Sequence, residues 1–188
     1  MRTRFFADWI RSVPVLTVAA LAVSGASAGP YEGTADDYAQ ISQLMTKYSY
    51  ALDTLDAKGW ASVFTDDGVF RDFHLCLVGR KQIAGFIEKS RARQKTAGAA
   101  TGPKSYHINE NRSIEYIDRD HAIAHSFVMV VGDVDREHHG RGIEVTGTYD
   151  DKLIRVNGHW LIADRHEISP GDGPPPCPAP AAGVPSSR

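Results

Sequence analysis

Between residues 34 and 55 the apolar positions recur at helical spacing: Tyr38, Ile41, Leu44, Met45, Tyr48, Leu52 and Leu55. That repeat predicts one long helix with a single apolar stripe, which needs a broad surface to cover it. Thr34, with Asp37 three residues on, predicts the N-terminal capping box. The run Asp56-Ala57-Lys58-Gly59 breaks the pattern. Trp60, Val63 and Phe64 then predict a short second helix, ended by Asp66-Asp67-Gly68. Residues 69–73 read as a strand and 76–78 as its continuation beyond a bend. Residues 80–93 read as a third helix with Ile83, Phe86 and Ile87 inward, and the Gly- and Ala-rich run 95–103 as a loop. Beyond it the period becomes two. Residues 105–117, 121–134, 143–156 and 159–168 alternate and are rich in β-branched side chains, which predicts four strands. Asn157-Gly158 joins the last two as a tight hairpin, because both residues tolerate the positive φ that such a turn requires. Helices first and a meander afterwards predict an α+β fold: a cone-shaped, strongly curved, mostly antiparallel sheet wrapped around the long N-terminal helix. The ligand pocket is expected inside that cone.

Composition narrows this picture at the two ends of the chain. The 188 residues, 42% of them hydrophobic, suffice for one core, and a net charge of -2 with no basic stripe argues against nucleic acid as a partner. Arg2, Arg4 and Arg11 precede an apolar run over 13–23 that is too short to span a bilayer. Ala26-Ser27-Ala28 follows with small residues. Residues 1–28 are therefore expected to be a signal peptide cleaved after Ala28, leaving an exported protein, periplasmic or secreted, with no stable membrane insertion. A short leader (29–34), one domain (35–169) and a Pro-rich tail (170–188) complete the expected organisation. Export lets Cys76 and Cys177 form a bridge, but two free thiols satisfy the sequence equally well.

Three blocks then carry a resemblance: YSYALDTLDAKGWASVFTDDGVF, YHINENRSI and GTYDDKLIRVNGHWLIADRHEI. In that order and spacing they resemble the SnoaL-like branch of the nuclear transport factor 2-like fold, which includes scytalone dehydratase, bile acid 7α-dehydratase and a dehydrochlorinase. The resemblance implies that Asp53 and His107 pair as a catalytic dyad and that Tyr48 is the helix tyrosine of the bile acid dehydratase. It also implies that Asn111 orders the chain beside the histidine, and that Asp72 falls near the base of ketosteroid isomerase. A second pocket histidine of scytalone dehydratase has no counterpart near Gly132, so scytalone itself is not the expected substrate.

Such a set suits elimination or enolisation. A histidine titrates close to working pH and can take a proton from carbon. A neighbouring carboxylate fixes its tautomer, and a phenol can donate to a departing oxygen. Leu52, Phe64, Phe70, Phe86, Phe127 and Met129 are expected to line a dry pocket, with Tyr149, Tyr50, His74 and His166 as further candidates. Glu137-His138-His139 lacks metal-ligand spacing, and no phosphate loop or nucleophile elbow occurs, so neither metal nor organic cofactor is expected. Two functions remain open. One is a lyase or isomerase acting on a small hydrophobic, ring-containing molecule. The other is a binding protein that holds such a molecule in the same pocket without turnover. Relatives of this kind pair through the sheet, which implies a homodimer or homotrimer.

Overall fold

The computed structural model describes residues 30–96, 105–135, 140–173 and Cys177. The expected signal peptide, most of the 95–103 loop, Glu137-His138-His139 and most of the Pro-rich tail lie outside the described residues. Helix α1 spans Ala35–Asp53, α2 Ala57–Ser62 and α3 Gly79–Thr96. Six strands, β1 (Phe64–Arg71), β2 (Cys76–Val78), β3 (Ser105–Tyr116), β4 (His121–Asp135), β5 (Gly140–Val156) and β6 (His159–Ile168), form one sheet in the order β2-β1-β6-β5-β4-β3. All neighbours pair antiparallel except β1 with β6. The fold is the expected curved α+β sheet with α1 on its concave side. It is open rather than closed, with β2 and β3 as its free edges.

Local chemistry explains the boundaries. Thr34 Oγ1 accepts the Asp37 amide at 3.1 Å while Asp37 Oδ2 accepts the Thr34 amide at 2.9 Å, a complete capping box. Asp56 caps α2 by accepting the Gly59 amide at 3.0 Å. The expected stop at Asp66-Asp67-Gly68 is instead a bulge inside β1, between its Phe64 and Val69 pairings with β6. A Cβ on Gly68 would stand 2.9 Å from the Phe64 Cβ and 3.0 Å from the Ile162 carbonyl, so a larger residue there would have to shift the bulged backbone. Asn157 and Gly158 both have positive φ, 52° and 83°, as the hairpin requires.

The core lies between α1 and the sheet. Ile41, Leu44, Met45 and Tyr48 meet Trp60, Phe64, Ala122, Ala124, Leu153 and Ile162, all buried. Tyr38, counted in the apolar stripe, is 56% exposed, because the stripe is narrower than its first residue implied. The cysteines form a disulfide, Cys76 to Cys177, which fastens the segment after β6 to the β2 edge across 101 residues of chain. Before the bridge, that segment turns through Ser169 and Asp172 and brings Gly173 against the Phe73 ring.

Candidate active site

Asp53 is the last residue of α1, and β3 passes beside that end of the helix. On the first half of β3 the odd positions face the helix, so His107 meets Asp53 directly. His107 Nδ1 lies 2.6 Å from Asp53 Oδ1, and the His107 amide donates to both carboxylate oxygens at 3.2 and 3.1 Å. Both side chains are largely but not wholly covered, 17% and 11% exposed. A carboxylate can only accept, so this contact assigns the proton to Nδ1 and leaves the Nε2 lone pair available as a base.

Tyr48 stands apart from this pair. Five residues rotate a helix by about 140° beyond one turn, so Tyr48 and Asp53 leave α1 on different flanks. Its ring packs between Trp60, Phe64 and Tyr149, and the Arg165 guanidinium sits 4.0 Å from its centroid. Tyr149 takes the other face of Arg165 at 4.1 Å. Burial pushes both phenols above their usual value, so both stay protonated and able to donate at neutral pH. Arg165 is fully buried and held by Asp151 through two 2.7 Å hydrogen bonds. Burial alone would lower its pKa, but Asp151 more than reverses this.

Glu167 acts on both groups through its charge and was not singled out from the sequence. The β5–β6 register pairs Tyr149 with Glu167 and Asp151 with Arg165, which turns Glu167 to the same inner face. Burial raises its carboxyl pKa, and His107 is the charge that most opposes this. The signal was present in the alternation along β6, where 165 and 167 share a face, but Ala163, the extra residue of β6 between its Leu153 and Lys152 pairings, hides the register.

The other expected site residues divide by face. Phe64 and Phe70 are core residues, and Leu52 and Phe86 pack at its margin. Asp72 closes the turn after β1, accepting the His74 and Leu75 amides at 2.6 Å each. Asn111, Phe127 and Met129 do not line the interior. They border a groove of about 620 Å³ on the opposite face of the sheet, with Ile108, Thr146, Thr148 and Ile168. The reason is the two-residue period: Ser126, Val128 and Val130 of β4 are buried toward α1, so Phe127 and Met129 must point outward. Asn111, with φ of 52°, is the pivot of a bulge in β3. His166 pairs across from Arg71 on that outer face, Tyr50 is 72% exposed, and His74 is exposed. Among the described residues no group of three or more His, Cys, Asp or Glu side chains is arranged to hold a metal.

The SnoaL-like domain profile matches residues 33–166. Among solved structures, a protein of unknown function from Mycobacterium tuberculosis is 27% identical, with a TM-score of 0.60 over 70% of each chain. A candidate scytalone dehydratase from Novosphingobium aromaticivorans is 22% identical, with a TM-score of 0.55 over 81% of this chain and 95% of that one. A cystatin-like protein from Nostoc punctiforme is 20% identical, with a TM-score of 0.61 over 75% of this chain and 96% of that one. No curated protein matches the chain significantly. The last two likenesses concern the fold alone. Through the match over residues 33–166, the chain belongs to the SnoaL-like domain family.

Proposed function

We propose that this chain is an exported, cofactor-independent lyase or isomerase of dehydratase type, acting on a small hydrophobic, ring-containing molecule. The observation that carries the reading is the 2.6 Å contact between His107 Nδ1 and Asp53. It supports His107 Nε2 as the base that takes a proton from carbon, while Asp53 stabilises the imidazolium that forms. In a dehydration the C–H pair moves into a new C=C bond, and the neighbouring C–O bond breaks. The departing hydroxyl takes the proton of a phenol and leaves as water. Tyr48, kept neutral by burial, fills that donor role in this proposal. The imidazolium then gives up its proton to solvent and the phenolate regains one, which restores the site. The Cys76–Cys177 bridge supports export, since such bridges persist in oxidising compartments. The homodimer or homotrimer of this proposal uses the outer sheet face, where Phe127 and Ile143 stand 60% and 58% exposed.

A second reading has one observation in its favour. Asp53 also accepts the His107 backbone amide, so the pair fastens α1 to β3 whatever else it does. On that reading the protein binds a small hydrophobic ligand without turnover. The test is turnover of a panel of steroids, terpenoids and hydroxylated aromatics by the wild type, His107→Ala and Asp53→Asn. The acid–base reading expects both variants to bind a consumed compound yet turn it over at least ~100-fold more slowly. Compounds that stabilise all three proteins alike, with no product formed, would assign the dyad to architecture.

A further inference from the structure

The outer face of the sheet, away from α1, carries a second histidine–aspartate pair. His125 Nδ1 lies 2.7 Å from Asp150 Oδ1, and both side chains are about half exposed. The register places Asp150 between His125 on β4 and His166 on β6, with Arg71 of β1 beside His166. The neighbouring row on the same face holds Ile123, Lys152 and Asp164. The two rows border a cleft of about 200 Å³.

Two polar atoms of the residues lining this cleft are unsatisfied. Asp164 is 1% exposed, and its Oδ2 accepts from Arg71 Nη2 at 2.6 Å. Its Oδ1 and the Arg71 Nε are buried with no partner. An arginine–carboxylate pair often closes through two parallel hydrogen bonds, whereas this one makes a single bond and leaves one donor and one acceptor open. A hydroxyl can both accept and donate, so one hydroxyl satisfies the two together.

The rest of the cleft matches the same chemistry. Its charges cancel, Arg71 and Lys152 against Asp150 and Asp164, so it favours neither an anion nor a cation. Burial and the Arg71 charge hold His166 below the ordinary histidine range, so at neutral pH one ring nitrogen donates and the other accepts. Asp150 can only accept, which gives the His125 Nδ1 the proton and leaves its Nε2 for a ligand. Ile123 adds an apolar wall. A water's share of the liquid is about 30 Å³, so the cleft corresponds to roughly six or seven waters, the bulk of one hydroxylated ring.

We infer that this cleft binds a neutral cyclic polyol, a monosaccharide or cyclitol, with one hydroxyl bridging Arg71 and Asp164 and others meeting the two histidines. The site lies on the opposite face of the sheet from the His107–Asp53 pair and stands independently of its chemistry.

The test is an NMR titration of the protein, reading backbone amides, with glucose, galactose, mannose and myo-inositol. At least one of the four is expected to give saturable, millimolar shifts at His125, Asp150 and His166. Cyclohexanol, with one hydroxyl, and glucuronate and glucosamine, each with a charge, should bind at least ~10-fold more weakly than the best of the four. Asp164→Asn should weaken that polyol at least ~10-fold. If Asp164→Asn does not fold, His166→Phe at the cleft wall should weaken it about fivefold in a folded protein. His107→Ala should bind it as wild type does. Absence of saturable shifts with all four would overturn the proposal and leave the cleft to water. So would cyclohexanol or a charged sugar binding as tightly as the best polyol. Binding lost in His107→Ala but kept in His166→Phe would overturn it too, by placing the polyol at the inner face.

Discussion

Helix α1 carries a buried or half-buried aspartate near each end, and the two are used in opposite ways. Asp37, at the N-terminus, is 2% exposed and surrounded by donors: Tyr31, the Thr34 amide and hydroxyl, Arg155, and Trp160 Nε1 at 3.1 Å. Burial would push its carboxyl up, but the hydrogen bonds from Tyr31, Arg155, Trp160 and Thr34 outweigh this and hold it well below the ordinary range. The positive end of the helix dipole favours the same charge. Asp53, at the C-terminus, receives donors from His107 alone among the described residues, and it faces the unfavourable end of the dipole. A carboxylate with every lone pair engaged is locked in one state. One that shares a single short contact with an imidazole can follow that ring through a protonation cycle.

The comparison is most exposed to Asp37→Ala. Removing this carboxylate strands Arg155, whose remaining carboxylate is Asp120 at 3.7 Å, and leaves Trp160 without an acceptor. A loss of about 3–5 kcal/mol in denaturant unfolding is expected, as for a broken buried pair. The same group sets a pH limb. Its folded pKa lies below the unfolded value of about 3.9, so its contribution is complete above that value and lost as pH falls toward the folded one. Wild type and Asp37→Asn should therefore converge in stability below about pH 4. A constant gap down to pH 2 would show that Asp37 acts by packing rather than by charge.

Trp160→Phe sharpens the same point by removing one donor of the set. The indole also stacks under Arg155 at 4.4 Å. A loss of about 1–3 kcal/mol is expected for a hydrogen bond to a charged group and a smaller ring. Wild-type stability in this variant would mean that the remaining donors fully compensate.

These poles differed in how legible they were. The Asp37 end could be read because its chemistry is local: Thr34 and Asp37 are three residues apart, and a capping box is a sequence pattern. The Asn157-Gly158 hairpin was legible for the same reason. The Asp53–His107 contact spans 54 residues and was reached only through the resemblance of whole blocks. What failed was the assignment of faces. A bulge at Asn111 shifts β3 from odd to even inward positions, so counting by two from His107 turns Arg112 outward when it points in. On β4 the large apolar residues Phe127 and Met129 looked like lining. The helix in fact needs small neighbours, and Ala122, Ala124, Ser126 and Val128 face it. The Arg165–Asp151 pair was hidden because buried charges obey no hydrophobic period.

The smallest expected effect on stability belongs to Asp53→Asn, and that smallness gives it force. Asparagine preserves the shape and can still accept the His107 amide through its oxygen. What disappears is the charge opposite Nδ1. Side chains that are partly covered and share one such contact contribute about 1 kcal/mol or less to folding. Thermal unfolding of Asp53→Asn is therefore expected within a few degrees of wild type, far from the loss at Asp37→Ala. The His107 tautomer, read from the nitrogen chemical shifts of its ring, tests the other half of the distinction. With the carboxylate gone, the neutral ring should lose its preference for the Nδ1–H tautomer, because the anion that accepts that proton is missing. A stable variant with a changed His107 tautomer balance would identify Asp53 as a group held for the histidine. A destabilisation matching that of Asp37→Ala, with the His107 tautomer balance unmoved, would make both ends of α1 fasteners and erase the distinction between them.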